Sequence, residues 1–281
     1  MKIIDKIRFV WKGNGTAGLA QTIADRLLHR TVSSAPRARE IAHGSTHALE
    51  IGGPSNNFKA NRLLPIYPYL RSLDNVNFAG ATLWEKDLSD DGPFAPCGRK
   101  LGKQFLREAA HLHGLADDSY DLVLSSHTLE HLANPLPALR EWRRVCRPDG
   151  HLLLILPHRD GTFDHARPLT TLDHLLEDEA AGVDESDKTH FAEVLRLHDV
   201  RRDPGAGTMQ VIHERLANNE SIRGVHHHVF DLDVALKAVV ECGWSPLAAG
   251  ARRPNSIVII ARNGRGDDHP FTRQSPFASD H

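Results

Sequence analysis

The chain has 281 residues, 40% hydrophobic and 25% charged, a usage that excludes wholesale disorder and fibrous repeats. Lys and Arg number 34 against 36 Asp and Glu, a net charge of −2, so the basic excess demanded by phosphate backbones is missing and nucleic acid is not an expected partner. The longest apolar run, Leu152 to Pro157, is far short of the roughly 20 residues that span a bilayer, which excludes a membrane helix from the expectation.

Along the chain, residues 1–44 read as a helical cap, with Leu19, Ile23, Leu27 and Leu28 at helical spacing before a break at Ser33, Ser34 and Pro36. His47–Ile51 is a short strand running into Gly52-Gly53-Pro54-Ser55, a turn where absent side chains let backbone approach a ligand. Tyr120–Ser125 and His151–Leu156 are near-continuous apolar runs of the kind buried on both faces of a parallel sheet. Between them a helix is predicted to start at Asn134 and Pro135, to bury Leu136, Leu139, Trp142 and Val145, and to stop at Arg147-Pro148-Asp149-Gly150. Strand, helix, strand is a parallel crossover. A last helix, capped by Asp231 or Asp233, buries Leu236, Val239 and Val240 and ends at Gly243, before strands at Pro246–Ala249 and Ser256–Ala261.

The expected fold is α/β: a Rossmann-like, doubly wound, mostly parallel seven-stranded sheet with a helical N-terminal cap (1–44), a core at 45–157 and 226–263, a His-rich insertion at 158–225 acting as lid or acceptor site, and a flexible tail at 264–281. Nine of the 19 histidines (158, 165, 174, 190, 198, 213, 226, 227 and 228) fall in or beside that insertion. Neighbours on an extended chain alternate faces, so the run His226-His227-His228 is not expected to meet on one ion, and no metal is assigned. Cys97, Cys146 and Cys242 are odd in number and lack CxxC spacing, which argues against disulfides and a cysteine zinc site. Asp5, Lys6 and Arg8 interrupt what a secretory signal would need to keep apolar, and the expected location is cytoplasmic.

The text LADDSYDLVLSSHTLEHLANPLPALREWRRVCRPDGHLLLILP at 115–157 resembles class I S-adenosylmethionine-dependent methyltransferases of the type 11-like kind. ALEIGGPS at 48–55 resembles their first motif, and Glu108-Ala109 with Leu112 resembles their adenine-contacting stretch. The resemblance implies S-adenosyl-L-methionine as donor. Glu50 would stand near the donor's ammonium or an ordered water, Gly52 and Gly53 would give close backbone approach, Glu108 and Ala109 would meet adenine, and Ser126 would line the same site. The family's ribose-binding carboxylate is replaced here by Asn77, with Glu85 as the fallback, and GGPS lacks the motif's third glycine.

Methyl transfer to a hydroxyl is aided by holding the acceptor in near-attack geometry and by a general base. His131 and His127, beyond the fourth predicted core strand, and His158, beyond the fifth, would face the crevice at the carboxyl ends of the strands. Sugar O-methyltransferases of similar sequence carry a base at the position of His131, which ranks it ahead of His158 and His127. The strings at 162–176, 187–205 and 226–231 resemble methyltransferases that accompany polysaccharide-building enzymes, and imply an oligosaccharide acceptor such as a methylated mannoside. Only 6% of residues are aromatic, which suits a polar acceptor better than a quinone. The alternatives are a different small-molecule acceptor, or a methyltransferase-shaped binding protein without turnover. A nicotinamide dehydrogenase is disfavoured because no GxGxxG follows the first strand. The oligomeric state stays open, a homodimer being one option.

Overall fold

Five parallel strands form the centre of the sheet: β1 (Ala48–Ile51), β2 (Leu73–Asn77), β4 (Gly102–Leu106), β5 (Tyr120–Ser126) and β6 (Cys146–Pro157). β7 (Trp244–Arg252) and β8 (Ser256–Asn263) extend it, β8 running antiparallel to both its neighbours. Those seven strands are the expected sheet, and short edge strands β3 (Gly92–Phe94) and β9 (Thr272–Gln274) bring the order to β3-β4-β2-β1-β5-β6-β8-β7-β9. The computed structural model describes residues 32–203 and 205–264, Thr16, and the backbone of 272–274. The expected cap residues Leu19, Ile23, Leu27 and Leu28 lie outside them.

The strands bury both faces, and alternation divides them between two layers. Leu49, Val123, Leu152 and Leu154 pack with α2 (Pro135–Val145) and α7 (Leu232–Glu241), whereas Ala48, Leu122, Leu124, Leu153 and Ile155 pack with α1 (Ala35–Gly44) and with Phe58, Leu64, Ile66 and Tyr67. Trp142 anchors α2 by donating its indole N–H to the Ala109 carbonyl at 2.9 Å, and Trp244 donates to Leu139 O at 3.1 Å. Here 3-10 turns at Asn56–Phe58 and Tyr67–Tyr69 stand between β1 and β2, with no helix.

Some expectations need correction. Pro36 sits in the first turn of α1, where its missing N–H is no loss, and the helical segment expected before the break lies outside the described residues. Val240 is 54% exposed although Val239 is buried, because only one face of α7 meets the sheet. Three residues of the expected loose tail pair as β9 with β7. Residues 158–225 hold α3 (Leu172–Ala181), α4 (Phe191–Leu197), α5 (Met209–Ala217) and α6 (Asn219–Ile222), with a small core of Val194, Ala206, Ile212, Leu216 and Val225. Among the described residues no helix is long and apolar enough to cross a membrane.

Asp231 is the N-cap of α7, its side chain accepting from Val234 N at 2.8 Å. Asp231→Ala is expected to lower stability by about 1 kcal/mol in urea unfolding, and Asp233→Ala, two residues further on the solvent side of the first turn, by under about 0.5 kcal/mol. Equal losses would contradict this division of roles.

Candidate active site

The strand order turns back between β1 and β5, so their crossovers leave in opposite directions and open a crevice at their carboxyl ends. β1 delivers Gly52-Gly53 to that crevice, and β5 delivers Ser126-His127-Thr128. Gly52 is in the left-handed region (φ +78°), and a Cβ there would lie 2.2 Å from Thr128 Oγ1, so only glycine keeps this corner flat.

Gly53 serves a different end. A Cβ on it would fall on the Glu50 carboxylate and on Asn75 Oδ1. Gly53 N donates to Asn75 Oδ1 at 3.0 Å, and its carbonyl accepts from Asn75 and Asn77 side-chain amides at 3.1 and 2.8 Å. Glu50 is fully buried, accepting from Tyr67 Oη at 2.7–2.8 Å and from Ser55 N at 3.0 Å. Burial pushes its carboxyl up to about 7, with the bonds from Tyr67 and Ser55 opposing. Glu50 and Asn77 thus hold the loop from within.

The remaining expected donor residues share the carboxyl-end edge. Ser126 Oγ accepts from Asn57 Nδ2 at 3.0 Å, tying the glycine loop to β5. Arg107 N donates to Asn77 O at 2.9 Å, which sets the half-exposed Glu108 and the buried Ala109 beside the end of β2. Arg223, from the insertion, reaches Glu108 at 3.0 Å and lies over the Phe78 ring at 4.9 Å. Glu85 closes a local turn by donating its N–H to Thr82 Oγ1.

Beyond β5 the chain builds a charge network that sequence reasoning did not assemble. Glu130 is completely buried, and neither carboxylate oxygen has a hydrogen-bond partner of ordinary geometry. Around it stand His127 Nδ1 at 3.4 Å, His131 Nε2 at 3.9 Å and His226 Nε2 at 3.9 Å. Burial opposes ionisation of Glu130, yet the neighbouring imidazoles outweigh it and hold the carboxyl below its usual range. His226 is bound through Nδ1 to Asp164 at 2.6 Å; burial lowers it, but Asp164 and Glu130 together raise it. Arg167 adds bonds to Asp164 and to the carbonyls of His226 and His227. Phe163, Asp164, Arg167, His198, Arg215 and His226 line a small cavity there.

The three expected bases therefore differ. His131 is buried, with Nδ1 on Val225 O at 3.0 Å, and burial together with His226 pushes it down to about 3. His158 is also buried, and its Nδ1 accepts from Asp160 N at 3.2 Å to cap the 159–161 turn. His127 keeps a side chain 33% exposed and stands in the left-handed region (φ +55°) at the strand end, a backbone state in which histidine is several-fold enriched. The His226–His228 run diverges: His226 meets Asp164, His227 meets Asn219 at 3.1 Å, and His228 meets Ala133 O at 3.0 Å. The strings at 129–131, 162–176 and 226–231 held the network's members, but nothing in their spacing announced that residues 164 and 226 would touch.

A family profile described as a methyltransferase domain matches residues 78–154. No curated protein sequence matches the chain. Among solved structures, an S-adenosylmethionine-dependent methyltransferase from Mesorhizobium loti is similar at 16% identity and TM-score 0.46, covering 82% of this chain and 98% of its own. The N-methyltransferase NodS from Bradyrhizobium japonicum is similar at 11% and 0.44, covering 86% and 99%. The 1,6-didemethyltoxoflavin-N1-methyltransferase from Burkholderia thailandensis is similar at 13% and 0.45, covering 87% and 84%. The match over residues 78–154 agrees with the enzyme class and donor expected from the sequence, a methyltransferase using S-adenosyl-L-methionine.

Glu50 gives a pH test. A carboxyl raised in the folded state binds a proton that the unfolded chain has already released, so its contribution falls as pH rises from the ordinary 4.5 toward about 7. Glu50→Gln removes that dependence. The stability of the variant relative to wild type should therefore improve by about 1 kcal/mol per pH unit across this window, read by urea unfolding at pH 5, 6 and 7. A difference that stays constant with pH would contradict a buried, raised Glu50.

Proposed function

We propose that the protein transfers a methyl group from S-adenosyl-L-methionine to a hydroxyl of a sugar or oligosaccharide. The observation that carries this reading is the buried Glu130 carboxylate ringed by His127, His131 and His226 beside the glycine corner. A hydroxyl acceptor, unlike a neutral amine, has no free lone pair basic enough to attack before losing its proton, so a base with a stabilised conjugate acid is what such an acceptor needs.

The residues fit the donor's chemistry. Gly52 gives way to the Thr128 side chain at the corner, and Glu108, Ala109, Phe78 and Ser126 supply a carboxylate, a small neighbour, an aromatic face and a hydroxyl along one edge. These residues would hold the donor, which when bound supplies an electrophilic methyl carbon. Asn77 and Glu50 act one step back, by fixing the Gly53 peptide and Ser55.

His127 is the base in this reading, ahead of His131 and His158. Its Nδ1 is 3.4 Å from Glu130, so the imidazolium formed on taking the hydroxyl proton meets a carboxylate waiting to balance it. His131, held neutral by burial, fixes the insertion through Val225 O. Asp164, Arg167 and His198 form a polar wall suited to sugar hydroxyls, which are recognised by directional hydrogen bonds.

Turnover with methyl-labelled donor and a panel of mannosides, glucosides, phenols and amines tests the acceptor. Label is expected in sugar hydroxyls; label confined to phenols or amines would overturn the assignment. His127→Asn, which tolerates the same backbone state, is expected to lower kcat by at least about 100-fold, the usual share of a general base, while S-adenosyl-L-homocysteine still raises Tm. Full activity in that variant would remove His127 from the role.

A further inference from the structure

Apart from the polar wall, the chain gathers a second set of imidazoles that the methyl-transfer reading does not use. His174 and Asp178 lie at i and i+4 on α3, hence on one face. His190 immediately precedes α4, and His228 arrives on the extended run after α6. Their ligand atoms all fall within 4.8 Å of one another. His174 Nε2 is 3.1 Å from His190 Nε2 and 3.4 Å from Asp178 Oδ2, and His228 Nε2 is 3.8 Å from the same oxygen. The rings of residues 174, 190 and 228 stand edge-on to each other at centroid distances of 5.1, 5.3 and 5.8 Å.

This is close to the spacing of a ligand tetrahedron. With Zn–N near 2.0–2.1 Å and tetrahedral angles, ligand atoms sit about 3.4 Å apart. The set is also unsatisfied without an ion: Asp178 Oδ2 is buried and has no hydrogen-bond partner. Two imidazole nitrogens facing each other at 3.1 Å need either a shared proton or a common cation. His228 Nε2 currently lies 3.0 Å from the Ala133 carbonyl, a contact that ligation would replace. Three imidazoles and one carboxylate suit a borderline ion better than magnesium or calcium, which take oxygen ligands.

We propose that His174, Asp178, His190 and His228 bind one zinc ion in a closed, structural site that fastens α3, the start of α4 and the 226–228 run together. Four protein ligands leave no open position, so the ion holds structure and does not activate water. Because His228 is two residues from His226, the ion also steadies the segment that carries His226 to Asp164 and Glu130.

The test uses tag-free, full-length protein stripped with a chelator, then dialysed against zinc and assayed by elemental analysis. Cobalt(II) substitution is read separately by visible absorption. The expected result is about one zinc per chain, with intense d–d bands from tetrahedral cobalt and a higher Tm on reloading. In the variant carrying His174→Gln and His190→Gln, one equivalent of metal and the bands should be lost, whereas His226→Gln should retain both. Wild-type protein that holds no zinc and gives no tetrahedral cobalt bands would overturn the proposal whether or not the double variant folds. Unchanged stoichiometry in a folded double variant would overturn this choice of ligands.

Discussion

A carboxylate with no exposure to water needs polar neighbours to offset its desolvation, and in this protein Glu130 finds them in imidazoles drawn from two parts of the chain. An uncompensated buried charge costs several kcal/mol, so the end of β5, which carries residues 127 to 131, and the segment that leaves the insertion, which carries His226, are bound to fold against each other. Asp164 and Arg167 continue the alternation of charge behind His226. The insertion is therefore held to the sheet by electrostatics as well as by packing, and the polar wall it presents is fixed relative to the crevice.

The glycine corner obeys a complementary constraint. Gly52 is needed for what comes from outside the loop, Gly53 for what lies within it, because the Glu50 carboxylate and Asn75 occupy the space a side chain would take. Their bonds to Ser55 and Gly53 make the loop rigid before any ligand arrives. A preorganised corner of this sort reduces the ordering cost of binding. Arg223, which links Glu108 to the Phe78 face, extends the same control to the far end of the site.

Much of this was legible from residue order. The apolar runs at 120–125 and 151–156 are strands because a parallel strand buries both faces, and Asn134-Pro135 begins a helix because proline lacks the N–H that the first turn leaves unpaired. The candidate donor residues lie along one sheet edge, as their places at strand ends suggest, but whether Glu50 turns toward solvent or toward Tyr67 depends on a loop with no periodicity to read. The histidines were harder still. A count showed them crowded into the insertion, but burial separates His127 from His131 and the contact order of 164 with 226 is set by tertiary packing. The same holds for His174, Asp178, His190 and His228, where only the i, i+4 pair on α3 leaves a trace in the sequence.

The account stands or falls on whether the crevice between β1 and β5 aims a donor at His127. A crystal structure of the complex with S-adenosyl-L-homocysteine and a sugar acceptor answers this directly. It should show the donor sulfur beside Gly52, adenine near Glu108 and Ala109, and an acceptor oxygen within hydrogen-bond reach of the His127 imidazole. A donor seated elsewhere, or an acceptor oxygen turned away from residues 127 to 131, would contradict it.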